Sequence, residues 1–115
     1  MMGHKIYEME FSRIYDAYVV KVARKNQDVK LVDTIIMWLT GYSEDDLNAL
    51  KSSDVSMRTF FDEAVHMNDN THLIKGVICG VRVEDVEHPL MQKIRWLDKL
   101  IDECAKGKSI DKILR

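Results

Sequence analysis

The side chains best placed to do chemistry gather in the last third of the chain, where Arg82, Glu84, Asp85 and Glu87 stand within a few residues of one another and His72 lies a little upstream. Carboxylates beside an arginine can move protons or hold a charged ligand. The same letters also describe a solvated connection that places acidic residues before the positive end of a helix, and this structural reading leads. Arg82 is flanked by Val81 and Val83, so its charge is the one expected to be drawn partly inward and paired. It is the first candidate site residue, with Glu84, Asp85 and His72 beside it. Cys79 could act as a thiol nucleophile, but its valine and isoleucine neighbours predict an inert, buried thiol. Cys104 also sits in an apolar pattern, and the two cysteines form no C-x-x-C pair, which points to a reducing, cytoplasmic compartment. His4, His66, His72 and His88 show no H-x-x-x-H or H-E-x-x-H spacing, so no metal site is assigned. Gly107-Lys108-Ser109 looks like the end of a phosphate-binding loop, yet the first glycine of such a loop would fall at Asp102 and a helix precedes it. No catalytic residue and no cofactor follow from these spacings.

The elements that must hold these groups can be read from periodicity. The chain has 115 residues, 46% apolar and 31% charged, with one proline, which fits a single domain over residues 1–115 with a core that needs no staple. Net charge is −2, with basic and acidic residues interspersed, so nothing in the overall field recruits nucleic acid or an anionic membrane. The start shows no apolar signal core, and no apolar run is long enough to span a bilayer. Pro89 can open a helix that runs to about Lys106, in which Leu90, Ile94, Leu97, Ile101 and Cys104 share one stripe. Trp96, Leu100 and Met91 widen its apolar arc, while Asp98, Lys99, Asp102, Glu103 and Lys106 occupy the opposite side. This long helix needs neighbours on more than one side and should be central.

Upstream, Ser12 can cap a first helix and Asp28 a second, which Gly41 ends. Ser43 opens a short third helix and Ser56 a fourth, carrying Met57 to Val65. Ser109 can cap a last short one. Residues 73–83 fit two periods: Leu73, Ile74, Val77, Ile78 and Val81 recur as on a helix, whereas Val77, Cys79, Val81 and Val83 alternate as on a strand. Helix is preferred, because a lone strand has no obvious partner elsewhere. The expected fold class is all-α, a bundle of six or seven helices.

Three functions of different class fit these elements. The first is a non-enzymatic protein-interaction or self-associating module, with a homodimer or an unknown protein as its partner, because apolar surface exceeds one small core. Its candidate interface residues are Trp96 and Leu100 on the long helix and Trp38 and Tyr42 beside the Gly41 turn. The second is a DNA-binding regulator that uses the Gly41 turn as a helix-turn-helix, although Glu44, Asp45 and Asp46 would meet the phosphates and repel them. The third is a small ligand binder or enzyme that uses Arg82, Glu84, Asp85 and His72.

Several stretches also resemble a family of small bacterial proteins, the domain-of-unknown-function family 2200. They are His4-Lys5-Ile6-Tyr7, Trp38-Leu39-Thr40-Gly41-Tyr42, Gly76-Val77-Ile78-Cys79-Gly80-Val81-Arg82-Val83-Glu84, Pro89-Leu90-Met91, Leu97-Asp98-Lys99-Leu100-Ile101-Asp102-Glu103 and Lys112-Ile113-Leu114-Arg115. The resemblance implies a bacterial, single-domain, soluble protein with no assigned activity and no catalytic residues to carry over. The chain departs from the family pattern at Asp69, where proline is common, and at Cys104, where leucine is.

Overall fold

The computed structural model describes residues 5–115, and His4 lies outside them. Helix α5 (Pro89–Ala105) runs through the middle, with Pro89 at its first position after an extended His88. Leu90, Ile94, Leu97, Ile101 and Cys104 are all buried on one stripe, as their spacing predicts. The wide apolar arc is covered by the chain itself: α1 (Phe11–Arg24), α2 (Lys30–Thr40), α4 (Met57–Asp62), α6 (Ile110–Ile113) and a β-hairpin pack around it. Leu100 is fully buried, so it belongs to the core and offers no interface. The opposite, charged side of the helix is partly buried too, at Asp102 and Glu103. Asp102 is held by Lys21 at 3.1 Å and Lys106 at 3.0 Å, and Glu103 by Arg115 at 2.7 Å. Burial works against ionisation of Asp102, but the Lys106 and Lys21 ammonium groups outweigh it and lower its pKa. Tyr18 donates its hydroxyl to Asp98 at 2.5 Å, which joins α1 to α5.

Local signals set most helix ends. Ser43 accepts from the Asp46 N–H ahead of α3 (Glu44–Lys51), and Ser56 accepts from the Thr59 N–H ahead of α4. Asp28 accepts from the Lys30 N–H at 2.9 Å. Gly41 ends α2 at φ 77°, and a Cβ there would come within 3.0 Å of the His66 backbone, so only glycine fits. Ser109 precedes α6 without a side-chain cap. Ser12 does not cap α1. The helix starts at Phe11, whose N–H donates to the Val55 carbonyl at 2.8 Å beside a Glu10–Ser56 bridge, so a distant backbone partner replaces the hydroxyl. Helix α4 stops at Asp62, short of the expected Val65. The chain then crosses the end of α2, where the His66 and Asn68 N–H groups satisfy the Thr40 and Leu39 carbonyls. Phe11 stacks on Phe60 at 4.0 Å between ring centres. Tyr42 donates its hydroxyl to the Phe60 carbonyl at 2.6 Å and is 8% exposed, so it is chiefly a core residue.

Residues 73–83 are not a helix. Among the described residues they supply the one sheet, an antiparallel pair of β1 (Val77–Ile78) and β2 (Val81–Arg82) with Val77 opposite Arg82 and Ile78 opposite Val81. The partner strand comes from the segment itself, across a two-residue turn. Gly76, Cys79 and Gly80 all have positive φ, at 116°, 53° and 79°, which no right-handed helix can hold. Positive φ at both Cys79 and Gly80 is the geometry of the tight hairpin turn that matches strand twist. The fold is thus predominantly α, with six α-helices and one short hairpin among the described residues.

Candidate binding cleft

A cleft of about 330 Å³ opens between the segment before the hairpin, Glu84 just after it, and α5, lined by Thr71, His72, Ile74, Glu84, Gln92 and Trp96. Each wall is fixed by backbone it can be traced to. Thr71 to Leu73 make a single 3-10 turn, which the buried Ile74 anchors in the core. His72 hydrogen-bonds through Nδ1 to the Asp69 carbonyl at 3.1 Å. A carbonyl only accepts, so Nδ1 carries the proton and the lone pair of the neutral ring sits on Nε2. Glu84 Oε1 accepts from the Gly76 N–H at 3.0 Å, and Oε2 lies 3.8 Å from Arg82 Nη1. The Gly76 N–H, helped by the Arg82 charge, holds the Glu84 carboxyl below the usual glutamate range. Glu84 therefore stands ionised near neutral pH, as an acceptor rather than a proton donor. Gln92 donates weakly to the Val83 carbonyl at 3.5 Å. Trp96 lies one turn further along α5 and is half-buried.

The outer side of the cleft loop is tied down by Arg115. Its Nε donates to the Leu73 carbonyl at 3.1 Å and its Nη2 to Glu103 at 2.7 Å, while Asn70 donates to the Arg115 carbonyl at 2.7 Å. Glu103 keeps one buried oxygen, Oε1, with no hydrogen-bond partner.

The structure brings together residues that the sequence assigned to different roles: His72 and Glu84 as ligand groups, Trp96 as an interface residue. Arg82 points outward instead of inward, with 63% of its side chain exposed, because the hairpin register puts it on the same face as Val77. It touches the cleft only through Glu84. Asp85 is exposed and does not line it. Trp38 lies half-buried in the last turn of α2, where its carbonyl accepts from Asn68, and does not line the cleft. Cys79, expected to be buried, is exposed at the turn tip. Gln92 was missed, although its four-residue step to Trp96 was legible as one helix face. Thr71 carried no such signal.

Apolar side chains stand uncovered in the cleft segment and in the neighbouring hairpin. Leu73 is 45% exposed, Val77 52% and Val81 42%. No helix among the described residues is long and apolar enough to cross a membrane. Among the described residues, no group of His, Cys, Asp and Glu is arranged to hold a metal ion.

Comparison with curated proteins gives no match. The crystal structure of uncharacterized protein SP1917 is similar to this chain throughout, with a TM-score of 0.92 and 42% sequence identity over 98% of this chain and 93% of that one. Residues 5–115 match the family described as uncharacterized protein conserved in bacteria, DUF2200. The near-complete match and the shared fold agree, and the chain belongs to that family.

Proposed function

We propose that the protein is a non-enzymatic protein-interaction module, in which the cleft receives a side chain of a partner segment while Leu73 and Val77 pack against that segment's apolar residues. The observation that carries this reading is the placing of the Glu84 carboxylate, pinned by the Gly76 N–H, with His72 and an aromatic wall, Trp96, next to the exposed Leu73. Such a site favours a side chain rich in hydrogen-bond donors. The Glu84 carboxyl, its pKa lowered by the Gly76 N–H, is suited to accept hydrogen bonds from such a side chain. The DNA-binding reading draws no support from the Gly41 turn: Glu44, Asp45 and Asp46 are exposed at the start of α3, and Lys51 is bound to Asp33 at 2.6 Å.

Peptide display against the protein, followed by titration of the enriched peptides, tests the proposal. With Trp38→Phe in the background, Trp96 is the sole tryptophan and reports directly. Enriched peptides should share a donor-rich residue, shift Trp96 emission, and bind about tenfold more weakly to Glu84→Gln, the loss of one charge-assisted hydrogen bond. Binding that ignores both Glu84→Gln and Trp96→Phe would overturn it. Failure to enrich any peptide, together with a melting temperature raised by a small metabolite, would assign the cleft to a ligand binder or enzyme instead.

A further inference from the structure

A second depression, of about 420 Å³, lies away from the cleft, between α3 and the chain after α4. Tyr42, Ala49, Leu50 and Val65 make its apolar surface, and Asp46 and Glu63 flank it. Val65, at 65%, is more exposed than any other large apolar side chain among the described residues. Both carboxylates lie near the Tyr42 ring. Together with burial, which contributes most, their charges push the Tyr42 hydroxyl up to about 12. The cations closest in sequence are already committed, Lys51 to Asp33 and Arg58 to Glu8. The lining of the groove is therefore apolar and acidic, with no lysine or arginine among the residues that line it.

The outer side of α1 has the complementary character. A shallow surface of about 530 Å³ is lined there by Ala17, Val20, Lys21, Arg24 and Lys25, with Asp16 the lone carboxylate. Val20 is 47% exposed. Lys21 is engaged by Asp102, while Arg24 and Lys25 have no ion pair among the described residues and can meet a partner. Ala17 and Val20 are small, which lets a facing surface approach the helix closely. One chain thus carries both halves of a contact: an acidic apolar groove and a basic apolar helix face.

We infer that two copies of the chain associate by seating the Ala17–Val20–Arg24 face of α1 from one copy in the Tyr42–Leu50–Val65 groove of the other. Two such contacts can close around a two-fold axis, each copy giving one groove and one helix face. The net charge of −2 leaves little overall repulsion between copies. This interface shares no residue with the cleft.

Sedimentation velocity over a concentration series, at low and at high salt, tests the inference. The wild type should form a dimer that weakens as salt rises. Glu63→Lys and Arg24→Glu, each with an unchanged melting temperature, should each weaken it by about tenfold. Mixing the two variants should restore association, because each facing pair is then again of opposite charge. A wild type that stays monomeric at every concentration overturns the inference, as does association indifferent to both substitutions or a mixture no tighter than either variant alone. Glu84→Gln and Trp96→Phe should leave the dimer unchanged, so failure here and failure of the cleft reading are told apart.

Discussion

Helix α5 and the hairpin before it are both rich in branched apolar residues, yet one buries them and the other displays them. Along α5 the stripe from Leu90 to Cys104 meets neighbours on several sides and is closed off from water. In the hairpin, Val77 and Val81 point to opposite faces of a two-stranded ribbon, and neither is covered. A long helix can turn one continuous face to a core, whereas two residues per strand cannot shield both sides of a sheet. Stability should therefore reside in the buried stripe of the helix, while the uncovered hairpin valines contribute little to it.

The sharpest way to break this contrast is a pair of truncations. Leu97→Ala, deep in the α5 stripe, should cost about 3 kcal/mol or more in chemical denaturation, while Val77→Ala should stay within about 0.5 kcal/mol. Equal losses would show that the hairpin is as much a part of the core as the helix. A smaller effect is expected where the two regions are laced together. Arg115→Ala leaves the buried Glu103 carboxylate with only Lys108, at 3.5 Å, and should cost about 2 kcal/mol. It should also speed amide exchange of Leu73 and Ile74 ahead of the α5 amides, and uniform exchange would mean that the loop is held by other contacts. Smallest is the turn itself. Cys79 is a non-glycine residue at φ 53°, so Cys79→Gly should raise the melting temperature slightly, by a gain of up to about 1 kcal/mol. A lower melting temperature would show that the thiol makes a contact worth more than the strain.

How much was legible follows from the range of each interaction. Pro89, Gly41, Ser43 and Ser56 act within one turn of chain, and all four stand where their letters imply. Ser12 failed because the first amide of α1 finds its partner in Val55, far along the chain. The burial of Asp102 and Glu103, placed by the sequence opposite the apolar arc, was not legible because Lys21 and Arg115, which pair with them, belong to other elements. The hairpin was misread for a subtler reason. Two periods fit the same residues, and the deciding signal was the positive-φ turn at Cys79-Gly80, which an isolated Ile-Cys-Gly-Val hardly advertises.

The site divides along the same line. His72 and Glu84 were recognisable together as ligand groups, but Trp96 was assigned to an interface instead, and Arg82 was expected to turn inward. By itself the sequence determined the central helix, its buried stripe and most helix ends, since these depend on periods and caps that act over a few residues. Only the tertiary structure decided which side chains face one another, because a two-residue strand register and the anchoring of Ile74 set the cleft, and neither is written in any local pattern.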